Sequence, residues 1–278
     1  MRRLLVVTHL TLHEALRRRV LLAALLGGVA FLILYAVGFH FIVRDFARHA
    51  NMTLIEKRVA LTGLTLAGLY AVNLLSVMSA VLLPVDAISG EIASGSIQTL
   101  AAKPVRRAEI VLGKWLAYVL VVMAYLIGMA GGVLLIARGF GGFMPPNPMA
   151  GLPLMLIEAV LLVSVSIAGG TRLSTVTNGM AAFGLYGLAF IGNWVEQIGV
   201  FVDNQAARNV GTVASLIMPA ESLWQRAAWL MQPTIMRELH ATPFSPVSVP
   251  SPAVVWWALG YTAVALLVAV RGFAKRGL

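Results

Sequence analysis

Long apolar blocks separated by short charged segments dominate the chain. A bilayer core about 30 Å thick requires roughly 20 apolar residues in a helix, because each residue rises about 1.5 Å. Six blocks of about this length carry almost no Asp, Glu, Lys or Arg, and we predict one helix from each. These predicted spans are residues 20–43, 59–85, 115–137, 152–171, 176–195 and 253–270. The pattern therefore predicts an all-α membrane protein with six transmembrane helices in a single domain, residues 1–278.

The first 19 residues are too polar to span a bilayer, but their apolar residues recur at helical spacing. Leu5, Leu12 and Leu16 fall near one side of a helix. Glu14 and Arg18 fall around the other side. We therefore predict an N-terminal amphipathic helix that lies at the membrane interface.

The distribution of cations predicts how the chain is oriented. Thirteen of the 21 Lys and Arg fall in segments that share a side with the N-terminus, and the other segments, which are longer in total, hold eight. Cytoplasmic segments of membrane proteins are enriched in Lys and Arg. We therefore predict that both termini are cytoplasmic.

Residues 196–252 form the longest segment between predicted spans, and this orientation places them outside. Such a segment is too long for a passive connection. Apolar and polar residues alternate at helical spacing after Pro219, which predicts a helix at 219–230. The proline-rich residues 233–252 predict an extended connector. We expect a helical outer segment before the last span.

Composition supports a lipid environment. Hydrophobic residues make up 59% of the chain and charged residues 12%, whereas soluble domains carry about a quarter charged residues. A soluble globular domain and a disordered chain are therefore excluded. The net charge of +10 comes from cations scattered between apolar blocks, which favours cytoplasmic loops over nucleic-acid binding. The absence of cysteine excludes disulfides, thiolate metal sites and cysteine nucleophiles.

The loop between the second and third predicted spans, residues 86–114, has the most informative polar pattern. Pro104 disfavours helix at Lys103 and has no N–H to donate to a continuing helix. The sequence therefore predicts a helix, a break and a second helix. We expect the first of these to lie across the cytoplasmic face of the membrane.

This loop resembles that of permeases in the type-2 ABC exporter family. The family's loop contains an Asp, a Gly-Glu pair, a Gly followed by Ser or Thr, a Pro-x-x-Arg and a Gly-Lys pair. The matching positions here, in order, are Asp86, Gly90, Glu91, Gly95, Ser96, Pro104, Arg107, Gly113 and Lys114. Two positions differ, because Ala93 and Thr11 stand where members often carry an acid. The branch that the chain resembles most comprises permeases for maturation of multicopper enzymes, including the nitrous oxide reductase maturation system.

The resemblance implies the membrane-spanning permease subunit of an ATP-driven exporter in a bacterial inner membrane. In such exporters the loop helix docks in a cleft of a separate cytosolic ATPase, and closure of two ATPases moves two permeases. The implied partners are two ATPase copies, a second permease chain in a homodimer, and the lipid bilayer. The implied ATPase-coupling residues are Asp86, Gly90, Glu91, Gly95, Ser96, Gln98, Pro104 and Arg107.

Asp86 and Glu91 have a second interpretation, in which they only cap and solvate the first turn of the loop helix. The function also has alternatives. One is a permease that passes force to a periplasmic partner without moving a solute. Another is a membrane scaffold with no ATPase.

We expect the chain itself to be a non-catalytic subunit without a cofactor. ATP would bind to the partner, because Ala108 and Trp115 stand where a P-loop around Gly113 and Lys114 requires Gly and Ser or Thr. The spans also lack the His-Glu-x-x-His, Ser/His and paired-Asp sets of intramembrane hydrolases. His9 and His13 share a helix face without a third ligand, so we predict no metal site.

The polar residues inside the predicted spans have two interpretations each. Glu158 is costly in lipid, and it either lines a translocation path or reaches headgroup water near the outer end of its helix. Asn73 and Ser76 either line such a path or form hydrogen bonds between helices. Gly128 and Gly132 are four residues apart, which predicts close helix packing.

Overall fold

The computed structural model describes residues 2–48, 52–95, 106–239 and 248–275. These residues form helices joined by turns, with no strand among them, so the all-α prediction is confirmed. In chain order the helices are α1 (Arg2–Leu16), α2 (Arg19–Arg48), α3 (Leu54–Leu82), α4 (Ser89–Ala93), α5 (Arg107–Gly141), α6 (Pro148–Gly170), α7 (Thr175–Phe201), α8 (Gln205–Ile217), α9 (Ala220–Leu230), α10 (Thr234–Leu239) and α11 (Ala253–Ala274).

Five helices in the described ranges, α2, α3, α5, α6 and α11, are long and apolar enough to cross a membrane. They contain the predicted spans at 20–43, 115–137 and 253–270 and most of those at 59–85 and 152–171. Charged residues at their ends extend several helices beyond the apolar blocks. Helix α5 begins at Arg107, inside the predicted loop 86–114, where the carboxylate of Glu109 accepts a hydrogen bond from the backbone N–H of Arg106 at 2.9 Å and caps the helix start.

The predicted span at 176–195 lies inside α7, which is not among those five helices. With 27 residues α7 is long enough to cross. Asn178, Asn193 and Glu196 lower its mean hydropathy, however. The apolar composition required of a span is therefore not met, and the sixth span is not confirmed.

The core of the bundle lies where α3, α5 and α6 pack against one another. Its largest fully buried side chains include Leu66, Leu69, Tyr118, Leu126 and Met155. Helices α2 and α11 lie at the periphery, and most of their apolar side chains are exposed. Such exposed apolar faces are expected for helices that contact lipid or another membrane subunit.

Helix α1 packs along the start of α5. The structure separates the three leucines that the pattern placed together, because Leu12 packs against the core while Leu5 and Leu16 are exposed. Val7 and Ala15 are buried instead. The helix therefore presents one face to the bundle and leaves leucines free for the bilayer surface.

Beyond α7 the chain folds back on the bundle. Helix α8 packs closely along α7, where a Cβ on Gly199 would lie only 2.7 Å from the Cβ of Ala207. Helix α9 packs on α6 and occupies the residues where a helix was predicted. The predicted extended connector at 233–252 is wrong at residues 234–239, which form α10.

Candidate functional site

Two polar clusters lie at different heights in the bundle. The first, here called the loop cluster, comprises residues 85–95 together with Arg18, between α1 and α2, and the side chains of α5 and α7 that bind them. The second, the buried acid cluster, comprises Asn73, Glu158, Tyr186, Asn193 and Glu221. We call the end of the bundle that carries the first cluster the loop end, and the other the opposite end.

The chain leaves α3 through a series of turns that are packed against the bundle. Leu83, Ala87 and Ile88 are at most 1% exposed. The five residues of α4 follow, and Gly95 comes after it with φ of 72°, a left-handed conformation that glycine adopts most easily. The first part of the loop is thus a fixed part of the bundle surface.

Glu91 forms an ion pair with Lys114 at the start of α5. The Lys114 side chain is buried, and its Nζ also donates a hydrogen bond to the carbonyl oxygen of Ala87 at 2.9 Å. A buried ammonium is stable only where its hydrogen bonds and charge are compensated. Lys114 therefore holds α4 and the preceding turn on α5.

Asp86 forms an ion pair with Arg18, between α1 and α2. Arg18 also donates to Glu14 of α1 at 2.6 Å. Asp86 touches the loop helix as well, since a Cβ on Gly90 would lie 3.3 Å from its Cβ. Asp86 thus connects the loop to the N-terminal helix.

Neutral hydrogen bonds attach the loop to α6 and α7. Asn178 of α7 donates to the carbonyl oxygen of Val85 at 3.0 Å and to that of Ser166 at 2.9 Å. The hydroxyls of Ser89 and Thr175 are 2.8 Å apart. These bonds fix the start of the loop segment and the first residue of α4 to the helices beside them.

Two further family-matching residues join helices at the loop end. Arg107 donates to the carbonyl oxygen of Ala274 at 2.9 Å, which connects the start of α5 to the end of α11. Gly113 faces α1 so closely that a Cβ there would lie 2.8 Å from the Val7 side chain. This region therefore connects several helices where they reach the loop end of the bundle, namely α1, α5, α6, α7 and α11.

The structure brings together only some of the predicted coupling residues. Asp86, Gly90, Glu91 and Gly95 lie on one short segment. Arg107 begins α5, about two turns before Lys114, which pairs with Glu91. Ser96, Gln98 and Pro104 lie outside the described residues.

Sequence reasoning missed Arg18 and Asn178, and it matched Lys114 to the family without assigning it a contact. The available signals were weak. Arg18 is the middle of three arginines, and Asn178 is one polar residue in an apolar block. Lys114, a cation directly before an apolar span, has the usual pattern of a snorkelling residue.

The buried acid cluster lies between α3, α6, α7 and α9. Asn73 Nδ2 donates to Oε1 of Glu158 at 3.3 Å, and Glu158 is 1% exposed. The alternative in which Glu158 reaches headgroup water is therefore wrong, since the side chain faces the protein interior. Asn73 forms the expected bond between helices, whereas Ser76 Oγ is buried without a hydrogen-bond partner.

Glu221, in the first turn of α9, completes this cluster and was not anticipated. Tyr186 donates to its Oε2 at 3.2 Å and Asn193 to its Oε1 at 3.4 Å. Burial raises the pKa of Glu221 to about 7, although the hydrogen bonds from Tyr186 and Asn193 act in the opposite direction. An acid in a helix's first turn usually faces solvent near the helix N-terminus, so the sequence carried no signal of burial.

The described residues contain no group of three or more His, Asp or Glu side chains arranged to hold a metal ion. His9 and His13 lie on one face of α1, with Nδ1 of His13 donating to the carbonyl oxygen of His9 at 3.1 Å. The arrangement of the two clusters instead points to mechanical connection at the loop end and to buried acid chemistry further into the bundle.

Comparisons with known proteins agree with the architecture. No curated protein matches the chain at a significant level. A family model described as ABC-2 family transporter protein matches residues 9–278, which is nearly the whole chain. Members are membrane components of ABC transporters, which generally work with an ABC ATPase and are not catalytic themselves. With its apolar spans and its loop cluster, this multi-pass membrane protein belongs to the ABC-2 family of transporter proteins.

Proposed function

We propose that this chain is the permease subunit of an ATP-driven exporter and that residues 85–95 receive movement from a separate ATPase. Two copies of the chain would pair in a bacterial inner membrane above two cytosolic ATPase subunits. Both termini would be cytoplasmic, as the distribution of Lys and Arg favours. The chain would contribute no catalytic group of its own.

The observation that carries this proposal is the attachment of the loop to α5, to α7 and to Arg18 at the end of α1. A displacement applied to α4 reaches α5 through Glu91 and Lys114, and it reaches α1 through Asp86 and Arg18. Asn178 connects the same segment to α7. Because packed helices move as rigid bodies, such a segment passes on a push with little bending.

The internal ion pairs change how Glu91 and Asp86 would act in coupling. The carboxylate of Glu91 forms an ion pair with Lys114 inside the protein. Its main role would therefore be to hold α4 in position and not to contact the ATPase directly. Side chains exposed beside it, such as those of Ala93 and Ser94, would form the contact surface. A short helix held in this way is pre-organised for docking, which lowers the entropic cost of binding.

Affinity purification of the tagged full chain from its native host tests the proposal. We expect an ABC ATPase to copurify in equal amount, and we expect its recovery to fall when Glu91→Ala loosens the loop helix. The matched control is Glu56→Gln, which changes an exposed acid in the capping box at the start of α3. Purification without any ATPase, or equal recovery with Glu91→Ala and wild type, would contradict it.

A permease that transmits force to a periplasmic partner is a second candidate. It is favoured by the packing of α9 on α6, because the opposite-end helices then move with the bundle. Reconstitution with the ATPase in proteoliposomes separates the two. Stimulation of ATP hydrolysis by a solute favours export, whereas stimulation only by a periplasmic protein favours force transmission.

Within the family, the loop residues favour the branch that serves maturation of multicopper enzymes, including nitrous oxide reductase. The gene neighbourhood tests this assignment without further biochemistry. A P-loop ATPase frame next to a cupredoxin or reductase frame is the expected arrangement. An ATPase frame beside unrelated genes would count against this branch while leaving the ATPase coupling intact.

A further inference from the structure

The buried acid cluster holds two carboxyl groups that the proposed function does not use. Glu158 and Glu221 are 1% and 3% exposed and come from α6 and α9, which pack against each other. The two side chains are close enough to interact electrostatically. Because like charges repel strongly in a low-dielectric interior, this proximity opposes ionisation of both acids at once.

No cation compensates these acids in the part of the chain that the structure describes. Their hydrogen-bond donors are the neutral side chains of Asn73, Tyr186 and Asn193. The other titratable groups that interact with both carboxyls are tyrosines, Tyr186 of α7 and Tyr70 of α3. Among described residues, α5 and α11, which also pack on α6, contribute no charged group that acts on either acid. Two uncompensated carboxylates are strongly disfavoured in such a place.

The hydrogen bonding of the two acids differs. Glu221 accepts a hydrogen bond at each oxygen, from Tyr186 and from Asn193. Glu158 accepts one at Oε1, and its Oε2 is buried without a hydrogen-bond partner. A buried carboxylate oxygen without a hydrogen-bond donor has lost its bound water and gained no other hydrogen bond in exchange. A protonated carboxyl carries no charge there and tolerates the same position far better.

We propose that Glu158 and Glu221 form a proton-binding site, with the first proton carried on Oε2 of Glu158. Glu221 keeps the two hydrogen bonds that favour its charged form, so it takes up a proton only after Glu158. Separation of α9 from α6 would admit water between the two acids and release the proton. Proton binding would therefore follow any movement between these helices, and it does not depend on the identity of the ATPase partner.

Infrared spectroscopy of the full chain in lipid nanodiscs tests the site. A protonated carboxyl has a carbonyl stretch that is separate from the carboxylate bands and shifts in D₂O. At about pH 9, two units above the pKa of about 7 for Glu221, we expect this band in the wild type and its loss in Glu158→Gln. It should persist in Glu221→Gln and in the control Glu196→Gln, whose carboxylate accepts a hydrogen bond from Ser248 at 2.6 Å.

Three results would overturn the proposal. The first is a wild-type spectrum without the band, which would mean that a cation other than the proton compensates the pair. The second is a band that survives in Glu158→Gln. The third is failure of Glu158→Gln to fold, because glutamine has the shape and neutrality of the protonated acid and should be tolerated if a protonated acid stands there.

Discussion

Lys114 and Glu91 form an ion pair in which the lysine side chain is only 3% exposed and the glutamate 16%. The pair joins two parts of the family's loop pattern, the Gly-Glu and the Gly-Lys, that are 23 residues apart in sequence. A buried ammonium that loses its carboxylate keeps its desolvation cost. Removal of one partner should therefore destabilise the protein more than removal of both.

A double-mutant cycle measures this effect. We expect Glu91→Leu to lower the free energy of unfolding by about 3 kcal/mol, because it leaves the charge of Lys114 buried with the Ala87 carbonyl as its one remaining hydrogen-bond partner among the described residues. The double variant Glu91→Leu with Lys114→Met should recover most of that loss. Tryptophan fluorescence during SDS-induced unfolding in detergent micelles is the measurement. Additive losses in the two single variants would show that the charges do not interact.

The pair of Asp86 with Arg18 should behave differently, because its side chains are 41% and 20% exposed. Exposed pairs contribute about 1 kcal/mol or less. Asp86→Asn should therefore change overall stability little. It should, however, speed hydrogen exchange of the amides at 86–93, since the loop loses its connection to α1.

Glu14→Gln provides the control for that experiment, because it removes the other partner of Arg18 within α1 and leaves the loop attached. Exchange at 86–93 should match that of the wild type in this variant. Equal acceleration in both variants would mean that the loop is held by the general charge of α1 and not by Asp86.

The membrane helices could be predicted from the sequence because each residue has its own free energy of transfer into lipid. Over a long apolar block these contributions add to a large favourable sum. The loop contacts could not. The family pattern identified Glu91 and Lys114 separately, but their pairing follows from the position of the first turns of α5 directly beside α4. No local pattern encodes that placement.

The burial of Glu158 was equally impossible to predict from the sequence. It lies six residues after Leu152, where the apolar block begins, and this spacing indicated headgroup water. Helix α6 begins earlier, at Pro148, and α9 folds over it from a distant part of the chain. Distance along a helix therefore does not give exposure when a later segment covers that helix.

Burial of Glu221 makes stability depend on pH. Its pKa is raised from 4.5 to about 7 in the folded protein, so the folded state holds this proton more tightly than the unfolded state. The resulting stabilisation is complete below about pH 4.5 and is lost as the pH rises through about 7. We expect a decline on the order of 3 kcal/mol across that range.

Unfolding titrations of wild type and Glu221→Gln between those pH values check the decline. The glutamine variant cannot ionise, and the hydroxyl of Tyr186 can turn to accept from its amide, so its stability should change less with pH. Parallel pH profiles for the two proteins would assign the pH dependence to other groups.

Two glycines of α5 should respond oppositely to alanine. A Cβ on Gly113 would lie 2.8 Å from the Val7 side chain and 3.2 Å from the backbone oxygen of Leu4, so Gly113→Ala should cost about 1–3 kcal/mol by pushing α1 away. Gly128 has open space around its Cβ position, so no described helix of this chain packs closely on it, whereas a Cβ on Gly132 would meet Leu32 at 2.8 Å. Gly128→Ala should leave thermal stability unchanged or slightly raised, because alanine favours helix. If both alanine variants lost stability equally, the proposed difference between the packed position of Gly113 and the open position of Gly128 would be wrong.

Helix α7 should cross the membrane despite its polar residues. Its first residue, Thr175, contacts Ser89 at the loop end, and 27 helical residues extend about 40 Å, enough to span a bilayer core. Its polar residues Asn178 and Asn193 form hydrogen bonds within the protein, which removes much of their cost in lipid. We therefore expect six crossings.

Single-cysteine labelling decides this point cleanly, because the chain has no cysteine of its own. In intact spheroplasts, a membrane-impermeant maleimide should react with Gln205→Cys. It should also react with the control Met149→Cys, at the exposed start of α6. Ser174→Cys and the loop control Ser94→Cys should react only after lysis. If Ser174→Cys and Gln205→Cys reacted on the same side, α7 would not cross, five crossings would remain, and the two termini could not both be cytoplasmic.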